Sequence, residues 1–245
     1  ISAVTAAERD LHTLAAGDGR RLRIASFASA AATILPQALA QLRTLRPDVD
    51  IELLSADPED AVALLAADGA DAAVVTSVPD ERPDFPGLHL FPVYDDEFFV
   101  VLPTRHRLAG LTELPFSALA ADQWVISTAT GECADVRVFQ KACRDAGFIP
   151  KVAFRADEYA TVQGMVAADL GISLVPSLAV GSARADVLVR RVATRRPVRR
   201  ISLATSEVPG DGTALSTLVS SVRSVGGRFN AEGVYSDSVR PLTVA

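Results

Sequence analysis

From Leu22 onward, short apolar runs alternate with stretches in which apolar residues recur every third or fourth position. A short apolar run bounded by turn residues reads as a strand buried on both faces, and a 3.6-residue period reads as a helix laid over it. Repeated alternation of the two therefore predicts βα units and a mainly parallel sheet. The spacing predicts strands over residues 22–25, 49–55, 72–76, 88–93, 97–102, 124–127, 152–155, 172–175, 187–192 and 199–205. Helices are predicted over 30–46, stopped by Pro47, then over 58–67, 134–146 closed by Gly147, 158–168, and 213–229 with Leu215, Leu218, Val222 and Val225 on one face. Pro36 inside the first helix marks a kink or a first turn.

The strands at 97–102 and 199–205 lie about 100 residues apart and bracket the middle βα units. Two such strands make a double crossover that encloses a second subdomain within the first and leaves a cleft between them. Residues 1–16 place Val4, Ala7, Leu11 and Leu14 at alternating spacings of three and four before Gly17-Asp18-Gly19 ends the pattern. That stripe fits either an amphipathic helix lying on its own domain or the end of a pairing helix. Residues 231–245 have no periodicity and read as a flexible tail.

The 245 residues are 49% apolar and 22% charged, an ordinary globular balance, and no apolar run approaches the length of a membrane helix. Thirty acidic against 24 basic residues give a net charge of -6, which repels a nucleic-acid backbone, so the chain is not expected to hold DNA by itself. Two cysteines, Cys133 and Cys143, are too few for a disulfide framework and fit a reducing, cytoplasmic compartment.

Catalytic signals are missing from the sequence. There is no G-x-S-x-G, no GxxxxGK and no intact G-x-G-x-x-G, and His12, His89 and His106 stand singly without ligand spacing, so no enzyme activity, metal or cofactor is expected. The positive signal lies at strand-to-helix junctions, where open α/β sheets bind ligands. Ser26-Phe27-Ala28-Ser29-Ala30, Thr76-Ser77 and Ser127-Thr128 each place hydroxyls at such a junction. Ser29 reads both as an N-cap and as a ligand contact, and three hydroxyl groups converging suit a small, polar or anionic ligand. The arginines Arg184, Arg190, Arg191, Arg195, Arg196, Arg199 and Arg200 read as a solvated face, with a subunit or polymerase contact, or part of an anionic ligand site, as the alternatives.

Four segments in order carry a family resemblance: Leu22-Arg23-Ile24-Ala25 with Leu35-Pro36 and Arg46-Pro47; Ala67-Asp68-Gly69-Ala70-Asp71-Ala72-Ala73-Val74; Val100-Val101-Leu102-Pro103 with His106-Arg107-Leu108-Ala109; and Met165-Val166-Ala167-Ala168-Asp169-Leu170-Gly171-Ile172 with Val175-Pro176. Together they resemble the effector-binding domain of LysR-type transcriptional regulators. The resemblance implies two Rossmann-like subdomains joined by two crossover strands, like type 2 periplasmic binding proteins, with a small-molecule effector between them. It implies a division into a linker-helix end and turn (1–19), subdomain I (20–100 with 206–230), subdomain II (101–205) and a tail. Ser29 occupies the position that commonly contacts the effector, and Phe27, Ala30, Thr76, Ser77, Ser127, Thr128 and Pro176 complete the candidate site. It further implies a homodimer or homotetramer, DNA reached through an N-terminal head outside these residues, and contact with RNA polymerase.

The sequence departs from the family at Arg107, where a proline is usual, and at Asp169, where a glycine is common. Peroxide-sensing members carry a reactive cysteine before a helix and a resolving one on it. Cys133 and Cys143 stand at similar spacing and are the candidate redox pair, with Arg137 as the charge that would lower a thiol pKa. The reading is therefore the effector-sensing domain of a regulator. A thiol-based peroxide sensor of the same family, or a transporter's solute-binding protein, is the alternative.

Overall fold

The computed structural model describes residues 21–79, 81, 85–127, 133–181 and 183–232; the striped segment 1–16, Thr128 and nearly all of the tail lie outside them. The elements run β1 (Arg21–Ser26), α1 (Ala28–Leu45), β2 (Asp50–Ser55), α2 (Pro58–Ala66), β3 (Ala72–Ser77), β4 (His89–Pro103), β5 (Glu113–Leu114), β6 (Gln123–Ser127), α3 (Ala134–Asp145), β7 (Lys151–Ala156), α4 (Tyr159–Ala167), β8 (Ser173–Pro176), α5 (Ser177–Val180), β9 (Val187–Val192), β10 (Val198–Thr205) and α6 (Ala214–Glu232). A 3-10 turn at Phe116–Leu119 precedes β6.

Strand order is β2-β1-β3-β10-β4-β9-β5, with β8 also on β4, while β6 and β7 pair with each other. β1 runs parallel to β2 and β3, but β10 is antiparallel to β3 and β4, and β4 is antiparallel to β8 and β9. The sheet is thus mixed rather than mainly parallel, because one crossover strand runs against β1–β3 in the first subdomain and the other against β8 and β9 in the second. β4 and β10 are those strands. The first part of β4 pairs β10, and its second part pairs β8 and β9, so one strand serves both subdomains.

Each subdomain has its own apolar core. In the first, Ile24, Val74, Ile201 and Leu203 of the sheet meet Ile34, Leu35, Ala38 and Leu42 of α1 and Leu218, Val222 and Val225 of α6. α1 continues through Pro36, which is exposed, so the helix carbonyl it leaves unpaired lies on the outer face where water can reach it. In the second, fully buried Trp124 packs against Phe116, Phe139 and Phe148 with ring centroids 4.9 to 6.4 Å apart.

Three helices end in the same way. The amides of Asp68 and Gly69, of Gly147 and Phe148, and of Asp169 and Leu170 return to the last-turn carbonyls of α2, α3 and α4 in the 6→1 and 5→2 pattern. The residue after the cap is left-handed in each, at φ +52° for Asp68, +81° for Gly147 and +61° for Asp169. Asp169 therefore fills the left-handed position that a glycine would fill, exposed and with a short polar side chain that tolerates it. Gly171 is required for a different reason. At φ +152°, a Cβ there would sit 2.8 Å from the Gln123 carbonyl oxygen, where the chain presses against β6.

Candidate functional site

β4 was expected as two strands broken at Tyr94-Asp95-Asp96. It is continuous because each acid has an arginine opposite: the register sets Asp96 against Arg199 and Asp95 against Arg200. The pleat then separates the two pairs. Asp95 and Arg200 are joined at 2.7 Å on the open side, whereas Asp96 and Arg199 point inward, with side chains 0% and 3% exposed.

Arg199 is the centre of the site. Its Nε donates to Asp96 Oδ2 at 2.9 Å, and its Nη2 lies 2.8 Å from the same oxygen. Nη1 donates to both oxygens of Asp135, at 2.9 and 2.8 Å, and Nη2 also donates to Ser29 Oγ at 3.3 Å. Phe27 and Phe98 cover the guanidinium, with ring centroids 5.1 and 5.7 Å away. Asp96 is held from its other side by the Ser177 hydroxyl, at 2.6 Å, and the Leu178 amide; Ser177 in turn meets the Tyr94 hydroxyl at 2.9 Å. The Tyr159 hydroxyl donates to Asp135 Oδ2 at 2.7 Å. Ser29 stands at the start of α1 in one subdomain and Asp135 at the start of α3 in the other, so this one side chain on a crossover strand touches both.

Burial works against the Arg199 charge, but Asp135 and Asp96 together outweigh it and raise the pKa above its ordinary value. Burial pushes the Asp96 carboxyl up, while Arg199 and the Ser177 hydroxyl pull it down. Burial and the adjacent Asp135 hold the Tyr159 hydroxyl well above its usual range, so it stays a donor. The first turn of α2 faces the β7–α4 turn, and there burial, then Glu59, Asp60, Glu158 and Asp157, raise the Asp57 carboxyl.

The candidate residues are only partly brought together. Ser29 reaches the centre, but as the second residue of α1: Phe27 is the N-cap, and no side chain caps the helix. Phe27 covers Arg199, and Ala30 is buried in the core beneath it. Thr76 and Ser77 are both buried, but the pleat puts Ser77 on the opposite sheet face, opposite Arg200, and Thr76 beside Ile201. Ser127 is half-buried and donates to the Asp157 carbonyl at 3.3 Å, and Thr128 lies outside the described residues. Pro176 ends β8, opposite Phe98. The solvated reading of the arginine run fails at Arg199, which is buried. Missed altogether were Tyr94, Asp96, Asp135, Tyr159 and Ser177. The signal for the central pair was an acid doublet and an arginine doublet, each embedded in an apolar crossover strand.

The cysteines depart from the pattern of an activated pair. Cys133 is the N-cap residue of α3, and burial followed by Asp135 raises its pKa; Arg137, expected to lower it, forms an ion pair with Glu81 at 3.1 Å. Cys143 is buried in the second core, and its thiol is pushed up to about 12 by burial. Among the described residues no cluster of His, Cys, Asp and Glu could hold a metal ion, and no helix is long and apolar enough to cross a membrane.

A crossover-linked pair of α/β subdomains with a polar centre between them defines a bilobed ligand-binding domain. The LysR substrate binding domain family matches residues 15–226, and the chain belongs to it. A protein of Mycobacterium avium described as a probable hydrogen peroxide-inducible genes activator is 30% identical over 69% of this chain and 54% of its own length; a Mycobacterium leprae protein of the same description is 32% identical over 51% and 40%. The chain spans about half the length of the curated relatives it matches. Among solved structures, an OxyR C206 mutant of Corynebacterium glutamicum superposes with TM-score 0.73 at 24% identity, covering 94% of this chain and 72% of that one. The effector-binding domain of BenM with its effector benzoate superposes with TM-score 0.74 at 18% identity, covering 89% and 96%. These structures establish the type 2 periplasmic-binding-protein-like fold.

Proposed function

We propose that the chain is the sensor of a cytoplasmic LysR-type transcriptional regulator, which binds a small molecule between its subdomains and reports it as a change in their relative orientation. The carrying observation is Arg199, which joins Ser29 of α1 to Asp135 of α3 across the cleft. A ligand that prefers one orientation shifts the population toward it, and a ligand indifferent to orientation signals nothing. DNA contact belongs to a head outside these residues, in keeping with the net charge of -6. Self-association into a homodimer or homotetramer would convert subdomain rotation into a changed spacing of heads, and RNA polymerase is the expected downstream partner. No catalytic role is assigned.

The test is a thermal-shift screen of small metabolites against this chain, repeated with Ser29→Phe. A ligand that raises the wild-type midpoint should lose its effect in the variant, whose unliganded midpoint stays within a few degrees of wild type, as for a ΔΔG of about 1 kcal/mol. An unchanged ligand shift in Ser29→Phe would remove Ser29 from the site.

Peroxide sensing is the second reading, favoured by the descriptions of the mycobacterial relatives. Against it stand two thiols with raised pKa values and their placement. Ten residues of helix separate Cys133 from Cys143 by roughly 15 Å at 1.5 Å per residue, whereas a disulfide needs Cα atoms within about 7 Å. Mild peroxide should leave both thiols titratable; rapid loss of both with a changed oligomeric state would make peroxide sensing the function.

A further inference from the structure

The Arg199 guanidinium has no direction left for a ligand. Its Nε and one edge are committed to Asp96, Nη1 to Asp135 and Nη2 also to Ser29, and the Phe27 and Phe98 rings lie against the guanidinium. The two carboxylates are not equivalent. Asp96 is wholly buried, lies on the neighbouring strand and is tied to Ser177 and Leu178, so it is the fixed counter-ion. Asp135 is more exposed, at 15%, and hangs from the first turn of α3 in the other subdomain. Arg199 needs one carboxylate for neutrality, and Asp135 is a second.

We propose that Asp135 is a tethered carboxylate occupying the anion position of the cleft, and that a monocarboxylate effector binds Arg199 by displacing it, which frees α3 from the crossover strand. The proposal deepens the sensor reading above and rests on it. Exchange of one carboxylate for another leaves the charge around Arg199 unchanged, and the Tyr159 hydroxyl that donates to Asp135 is available to the incoming group. The surroundings favour a single negative charge. Glu59 of α2 acts on the Cys133 thiol, two residues before Asp135, so further negative charge on the ligand would meet it. The Arg137–Glu81 pair, between α3 and the chain following β3, lies across the same seam and would loosen with it.

Cys133 is a built-in reporter, since it stands two residues before Asp135 and is half-buried, whereas Cys143 is in the core. In the whole chain, the rate of N-ethylmaleimide addition to Cys133 should rise about tenfold in Asp135→Asn and in Arg199→Lys, as for an opening equilibrium shifted by ~1.4 kcal/mol. Asp135→Asn removes a negative neighbour of the thiol, but Arg199→Lys keeps every charge, so acceleration in both reports opening rather than a pKa change. Benzoate and acetate are the probes for exchange. Each should bind Asp135→Asn about tenfold more tightly than wild type, and citrate should gain less. Labelling rates equal to wild type in both folded variants would overturn the proposal, and so would equal benzoate affinity in wild type and Asp135→Asn. The labelling arm needs no effector, so its failure leaves the Ser29 screen standing as a separate result.

Discussion

Asp57 precedes Pro58 at the start of α2 and makes no side-chain capping bond, so its carboxylate is crowded by neighbouring acids without the usual return. A carboxyl whose folded pKa is raised stabilises the fold below its unfolded pKa, near 3.9, and that contribution is lost as pH rises through the folded value. At neutral pH the charge is therefore a liability, and Asp57→Asn, equal in capping rank, should raise the melting midpoint by a few degrees, about what a ΔΔG below 1 kcal/mol gives. Scanning calorimetry across pH should show the gap closing below pH ~4. A gap independent of pH would mean that the charge is not its source. Arg199 teaches the complementary lesson. Its charge was legible in the sequence, but its burial was not, because the register that sets it against Asp96 is a property of two strands about 100 residues apart.

Among the elements, α6 is positioned by a glycine. A Cβ on Gly226 would lie 2.2 Å from the Val93 carbonyl oxygen, and one turn later Asn230 Nδ2 reaches that same oxygen at 3.5 Å, so the helix rides directly on β4. Gly226→Ala should cost about 2–3 kcal/mol through overpacking, despite the better helix propensity of alanine. Gly227 has open space around it, and Gly227→Ala should stabilise by up to about 1 kcal/mol. Urea denaturation of the two variants gives opposite signs if the contact is real; destabilisation by both would point to the helix rather than the approach. Most elements were legible from periodicity to within a few residues, since core packing and periodicity agree for α1 and α6. The exceptions were the two-residue β5 and the one-turn α5, too short to carry a period, and β4. A polar Asp95-Asp96 step reads as a break until its partners on β10 are known.

At the scale of the molecule, the double crossover was legible because two strands bracket the middle units; β4 pairs within both subdomains, while β10 pairs β3 and the first part of β4. Oligomerisation is the property that this arrangement leaves most exposed to test. β2 is the end strand of the large sheet, and beside it a groove of about 660 Å³ is lined by Pro36, Leu39 and Ala40 of α1 and by Val49, Ile51 and Leu53. Leu53 there is 44% exposed. An open edge with apolar neighbours is a template for association unless something covers it, and a second copy is the expected cover. Light scattering should therefore give at least a dimer at micromolar concentration. Leu53→Glu, which places a charge in the seam, should weaken the association about tenfold or more, equivalent to ~1.4 kcal/mol. Leu111 is equally exposed but lies in the turn after β4, so Leu111→Glu should leave the assembly unchanged. A wild-type monomer at high concentration, or equal weakening by both substitutions, would place the contact elsewhere or abolish it.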